Sequence, residues 1–312
     1  MSLSNQLLVY SRTDGFRHES IPQAIDTIRS FGYNATFSED PTLFSSQRSL
    51  SAYKAIVFLS TTGEVLNADQ KGNFEVWLAR GGGFVGIHSA TSTFMDTAFY
   101  GNAIGAAFSR HPECQTASFV VLDHDHPSTA NLPSPWTFSE EVYNFVSDPR
   151  ATNASLLLSV DEDSYYDQYK PLPGNPQGSP HPIAWYRDGA AVLHANMARP
   201  WTRISNSSWD SNGMFRPPGR MWYTGLGHRA ETWRDEHFQA HVQGGIDWVL
   251  GVNTTKPKVA LTPASNNRTT PSGVAAEKGA ASSSYPPGSR LAQTAVYGLV
   301  ASTLLFHFTL LL

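Results

Sequence analysis

The stretch Gly81-Gly82-Gly83-Phe84-Val85-Gly86-Ile87-His88-Ser89-Ala90, GGGFVGIHSA, reads as a turn, a buried strand and a hand-over to the next element. Its core, GFVGI, is apolar without alternation, as in a strand covered on both faces. In α/β enzymes the residue at such a hand-over is often a nucleophile, Cys or Ser on a strained elbow. Here it is His88. The three glycines precede the strand instead of separating it from a helix, so they are no phosphate loop. They end the preceding helix and turn the chain into the sheet.

Working outward, short apolar runs alternate with amphipathic ones from residue 6 to about residue 125, which predicts a parallel sheet with helices on both faces. QLLVYS is a strand. Ser20 is placed to cap a helix that carries Ile21, Ile25 and Ile28 and ends at Gly32. KAIVFLS (54–60) is a buried strand, and Asn67 with Gln70 forms a capping-box pattern for a helix through Phe74, Trp77 and Leu78. TASFVVLD (116–123), ASLLLSV, HPIAWY and GRMWYTGL are further strands. A last helix over about 232–250 carries Phe238, Val242, Trp248 and Val249.

In open parallel sheets, ligands bind beyond the carboxyl ends of the strands. His18 follows the first strand, Thr61 and Thr62 follow KAIVFLS, His88 and Ser89 follow GFVGI, and His228 follows GRMWYTGL. Three strands thus deliver a histidine to one edge, a stronger signal than any single residue. His88, at the ligand edge, is expected to contribute little to core packing. His237 and His241 stand four apart on a helix, a spacing that can bind metal, but without a third ligand they read as a helix face. Asp123-His124-Asp125-His126 reads as a loop.

With 312 residues, 40% hydrophobic content and eight Trp, the chain can bury a large core. A net charge of -4 gives no basic footprint for nucleic acid. Cys114 is the one cysteine, which excludes an internal disulfide and any multi-cysteine metal centre. Residues 253–290 hold 25 Ser, Thr, Pro, Ala or Gly among 38 positions, the composition of a disordered, O-glycosylated stalk. Residues 291–312 lack any Asp, Glu, Lys or Arg. Small residues at 279–282, a polar spacer and an apolar tail match a GPI-attachment signal, with a tail-anchor helix as the alternative. The start, MSLSNQLLVYS, shows no signal-peptide pattern, while sequons at Asn34, Asn153, Asn206, Asn253 and Asn267 favour secretion. The expected localisation is therefore membrane attachment, at the cell surface if the chain is secreted.

LLVYSRTDGFRHESIP, GGGFVGIHSA, FSRHPE, SEEVYNF, HPIAW and GRMWYTGLGHRAETWRDEHFQAHVQGGIDWVLG together resemble the ThuA-like (trehalose utilisation) family, a branch of the class I glutamine amidotransferase-like fold. The resemblance spans residues 6–252 and implies a flavodoxin-like, doubly wound, mostly parallel sheet. Amidotransferase relatives carry G-x-C-x-G at the elbow; Gly86-Ile87-His88-Ser89-Ala90 puts imidazole there, which forms no thioester, so no glutaminase activity is expected. The resemblance also implies a small-molecule carbohydrate partner, an oxidised (keto) glycoside, and acid/base chemistry by His18, His88 and His228. The start of a helix beside His18 should favour its neutral form. Glu141, or its neighbour Glu140, is the expected carboxylate partner. Ser89, Thr61, Thr62, Arg110 and His111 are expected to bind substrate, with Trp185 and Tyr223 stacking on a sugar ring. The segment Gly189–Pro218 reads as an insertion. The alternatives are a non-catalytic carbohydrate-binding protein and a hydrolase with His18, His88 and His228 as metal ligands. No cofactor is required by the sequence, and a divalent metal stays open.

Overall fold

The fold described below is that of a computed structural model, which describes residues 6–170, 173–189 and 219–252. The stalk, the tail and residues 190–218 of the expected insertion lie outside the described residues. Strands β1 (Gln6–Tyr10), β2 (Asn34–Ser38), β3 (Ala55–Leu59) and β4 (Gly83–Ile87) alternate with helices α1 (Ile21–Ser30), α2 (Gln47–Leu50) and α3 (Ala68–Ala79). Next come α4 (Ala98–Ile104), β5 (Phe108–Arg110), β6 (Gln115–Val121), β7 (Trp136–Glu140), β8 (Asn144–Phe145), β9 (Ser155–Val160), β10 (Pro182–Arg187), β11 (Met221–Thr224) and α5 (Glu236–Leu250).

Nine strands form one sheet in the order β2-β1-β3-β4-β11-β10-β9-β6-β7. The run from β2 to β11 is parallel throughout. From β11 onward every neighbour is antiparallel. The result is the expected α/β fold, with an antiparallel extension on one side that the strand-by-strand reading did not show.

Alternating side chains explain why the sheet is covered on both faces. Leu7 and Val9 of β1, with Val57 and Leu59 of β3, pack with α1 and with Phe238, Val242 and Ile246 of α5. Leu8 and Tyr10, with Ile56 and Phe58, join Phe74 and Trp77 of α3 and Tyr100 and Ile104 of α4 on the other face. β1, β3 and β4 have two buried faces, so their sequences do not alternate.

The capping box at Asn67 is formed in both directions. Ser20 differs: its hydroxyl makes no cap and donates to the Gly227 carbonyl at 3.1 Å, tying the start of α1 to the loop after β11. The last helix begins at Glu236, capped by Asp235, because residues 232–234 form a separate 3₁₀ turn. The triple glycine does close α3: Gly81 has φ +95° and Gly82 donates to the Trp77 carbonyl at 3.1 Å. A Cβ on Gly82 would lie 2.3 Å from the Trp77 ring, so that close approach requires glycine.

Candidate functional site

The carboxyl ends of β1, β4 and β11 bring His18, His88 and His228 together. Ring centroids lie 4.5 Å apart for His18 and His88, 5.3 Å for His18 and His228, and 5.4 Å for His88 and His228. Glu141 arrives from β7, at the far edge of the sheet, and its Oε2 stands 3.5 Å from His88 Nε2 and 3.2 Å from His228 Nδ1.

His88 occupies the elbow with φ +53°, a left-handed conformation that a non-glycine residue holds only under constraint. Its ring is fixed from behind. Nδ1 lies 2.8 Å from the Gly225 carbonyl, which can only accept, so Nδ1 carries the hydrogen and Nε2 presents a lone pair. His18 Nε2 faces that lone pair at 3.1 Å, and Ser89 Oγ lies 3.3 Å from His18 Nδ1. Tyr143 Oη also lies within hydrogen-bond distance of His88 Nε2, at 3.1 Å, with the two rings inclined by 30° and their centroids 4.6 Å apart. The expectation of a lightly packed His88 is corrected: the side chain is fully buried, because the elbow turns it inward beneath the cavity floor.

Burial holds the His88 pKa well below the ordinary range, with His18 adding to the effect. Burial, then the neighbouring His228, lowers His18 to about 4. The expected neutrality of His18 is thus accounted for by burial. His228 moves the other way: contact with Glu141 raises its pKa against burial. Even so, Glu141 Oε2 and His228 Nδ1 are both buried and neither is aligned in a hydrogen bond. Glu141 Oε1 meets His111 Nε2 at 3.4 Å.

The choice between the two glutamates is decided by direction. Glu140 is fully buried and turns away from the cavity, accepting from the backbone N–H of Gly227 and of His228 at 3.1 Å and from Thr232 Oγ1 at 3.0 Å. Burial pushes its pKa up to about 7 against those hydrogen bonds. Glu140 holds the loop that carries His228, and Glu141 faces the histidines.

A cavity of about 470 Å³ opens on the cluster, lined by His18, Thr62, Ser89, His111, Glu141 and Tyr143 among others. Four expected residues lie elsewhere. Thr61 is buried, sharing a 2.7 Å hydrogen bond with Thr93. Arg110 is taken up by a two-pronged pairing with Asp167 at 2.7 and 2.8 Å. Trp185 and Tyr223 are fully buried, and their stacking role is corrected. They pack on each other at 4.3 Å, with Trp185 Nε1 donating to Ile104 O and Tyr223 Oη to His88 O, both at 2.8 Å. The phenyl and phenol rings that do face the cavity are Phe16, 67% exposed, Phe108 and Tyr143. Tyr143 was within the quoted SEEVYNF motif but carried no distinguishing signal. Cys114, beside Ser139 Oγ at 3.7 Å, makes no contact with the cluster and supplies no thiol to the elbow.

His237 and His241 share no metal site: among the described residues, the group with ligand-spaced donors is His18, His88, Glu141 and His228. His241 is instead fully buried between Ser128 O (2.9 Å) and Thr224 Oγ1 (3.1 Å).

Fold and site together define a doubly wound α/β protein with a histidine at the elbow of its fourth strand and a histidine–carboxylate cluster at the ligand edge. The sequence profile of ThuA, described as trehalose utilisation, matches residues 6–249, and the chain belongs to that family. A putative ThuA-like protein from Bacteroides uniformis is similar in structure, at 21% identity and TM-score 0.55, covering 78% of this chain and 90% of that one. Another, from Parabacteroides merdae, is 15% identical with TM-score 0.56, covering 81% and 92%. At these identities the likeness shows the fold alone. No curated protein matches the chain by sequence.

Proposed function

We propose that the chain is a sugar-processing enzyme that acts on a glycoside bearing a carbonyl group, with His18, His88, His228 and Glu141 as its reaction centre. The observation that carries the reading is the convergence of three imidazoles and one carboxylate, from four separate segments, beside a cavity that His18 and Glu141 line together with Phe16 and Phe108. The family's description as trehalose utilisation supports the sugar. A proton beside a carbonyl is acidic enough for a positioned neutral base to remove, provided donors hold the developing enolate oxygen. His18 lines the cavity and stays neutral at physiological pH, which suits an acceptor. His228, biased towards its charged form by Glu141, suits a donor. Groups pushed apart in this way are the signature of paired acid and base roles. Tyr143, kept as a phenol by burial, and Ser89 supply neutral hydroxyls at the same wall.

The test is incubation of the purified protein with trehalose and with its keto-oxidised form, following sugar products by mass spectrometry. Turnover of the keto form alone is expected. Tight binding of the keto sugar without any conversion would sink the catalytic reading and leave a carbohydrate-binding protein. Two parts of the proposal rest on sequence alone: GPI-type attachment through residues 279–312, and glycosylation of the secreted chain.

A further inference from the structure

We infer that the cluster is a binding site for one divalent transition-metal ion of the zinc class, held by His18 Nε2, His88 Nε2, His228 Nδ1 and Glu141 Oε2. Each residue offers one ligand atom, and the four atoms lie within 4.8 Å of one another. A four-coordinate ion with bonds near 2.0–2.1 Å sets neighbouring donors about 3.3–3.4 Å apart. Three of the six pairs stand at 3.1 Å (His18 to His88), 3.5 Å (His88 to Glu141) and 3.2 Å (Glu141 to His228), and the others lie within 4.8 Å, so the shell closes once the farther donors draw in by up to about 1.4 Å.

Three independent features of the protein point the same way. Glu141 Oε2 and His228 Nδ1 are buried and face each other at 3.2 Å without an aligned hydrogen bond to any group, an arrangement that a shared cation between them would satisfy. The His88 Nε2 lone pair faces another ring nitrogen at 3.1 Å, an arrangement natural for two ligands of one ion. Last, the outer nitrogens of two imidazoles are already held: His88 Nδ1–H donates to Gly225 O at 2.8 Å and His18 Nδ1 meets Ser89 Oγ, while Glu140 accepts from the His228 backbone N–H. Such outer contacts fix the tautomer and aim of metal-binding imidazoles. Three imidazoles with one carboxylate favour zinc, cobalt or nickel over magnesium or calcium, which prefer all-oxygen shells. His18 and Glu141 also line the cavity, so an ion there would polarise a carbonyl oxygen entering from it. The inference shares its location with the proposed function but does not depend on the substrate being a sugar; with an ion bound, the ligand nitrogens of His18 and His228 are engaged, so their proton-transfer roles belong to the metal-free protein.

The experiment titrates chelator-treated full-length protein with Zn²⁺ by calorimetry and with Co²⁺ by visible absorption. The expected result is one ion per chain, the intense visible band of four-coordinate Co²⁺, and a rise in Tm with Zn²⁺. Glu141→Gln, which preserves shape, and His228→Asn, on a partly exposed side chain, should each weaken binding at least tenfold. His237→Ala, outside the cluster, should leave it unchanged. Absence of stoichiometric binding, or binding indifferent to either cluster substitution, overturns the site. Turnover of keto trehalose by chelator-treated and by Zn²⁺-loaded protein separates the two proposals. Metal binding with no turnover in either state defeats the sugar reading alone; turnover without metal binding defeats the metal site alone.

Discussion

At the scale of single residues, burial assigns Phe16 and Trp185 opposite roles. Trp185 is fully buried against Phe145 and Tyr223, with its indole N–H satisfied by Ile104 O. Trp185→Ala should cost about 3–5 kcal/mol of stability, as large aromatic truncations in a packed core do, while the folded fraction keeps its affinity for sugar. Phe16, 67% exposed at the cavity lip, should behave in reverse. Phe16→Ala should move Tm by no more than a few degrees and weaken keto-sugar binding severalfold; equal binding by calorimetry would remove Phe16 from the site. His88 combines both kinds of role. His88→Ala empties a buried space and strips Gly225 O of its donor, so a loss of about 2–4 kcal/mol is expected together with loss of turnover per folded molecule. Activity retained in whatever fraction stays folded would show that His88 only packs.

At the scale of elements, several segments are joined by histidines that must stay neutral. His126, after β6, accepts from the Ser128 N–H at 3.2 Å and packs near Trp248 of α5, and burial lowers its pKa to about 4. His241, on α5 beneath β11, is lowered to about 3 by burial. Each has a folded pKa below its unfolded value near 6.5, so the unfolded chain binds more protons between those limits. Stability is therefore lost as pH falls below about 6.5, by up to about 1.4 kcal/mol per pH unit for each such histidine. Glu140 has the opposite sign: its pKa, raised to about 7, makes the folded chain bind the extra proton between about 4.5 and 7, which offsets one histidine. Denaturant unfolding of chelator-treated protein at pH 7 and pH 5 should show the net loss. His126→Asn, which keeps an acceptor for the Ser128 N–H, should flatten the slope by about one proton's worth. An unchanged slope would mean that His126 is not held neutral in the folded state.

For the whole molecule, one prediction concerns the elbow and another the residues after the α/β domain. With His88 at the elbow and Cys114 making no contact with it, purified protein should release no ammonia from glutamine; release that survives Cys114→Ser would show another nucleophile at work. If residues 279–312 are a GPI signal, phospholipase should free the mature protein from membranes and its C-terminus should fall near residue 280. Recovery of residues 291–312 by mass spectrometry would favour a tail anchor. No helix among the described residues is long and apolar enough to cross a membrane.

The sequence by itself determined whatever depends on local pattern. Buried strands in QLLVY, AIVFL and GFVGI, the capping box at Asn67 and the delivery of His18, His88 and His228 to one sheet edge all follow from short-range periodicity and strand polarity. Polar edge strands such as NATFS (34–38) and WTFSE (136–140) were not legible, because one partly exposed face leaves no continuous apolar run. Tertiary structure alone decided which side of each strand a residue occupies at the site. It turned Trp185 and Tyr223 into core, aimed Glu141 at the histidines and Glu140 at the loop behind them, and brought Tyr143 against His88. The aims of Glu140, Glu141 and Tyr143 depend on the placement of β7 and its following loop, set by antiparallel pairing across the far half of the sheet. A one-residue shift along a strand exchanges its two faces, and no local pattern in SEEVYNF specifies that register.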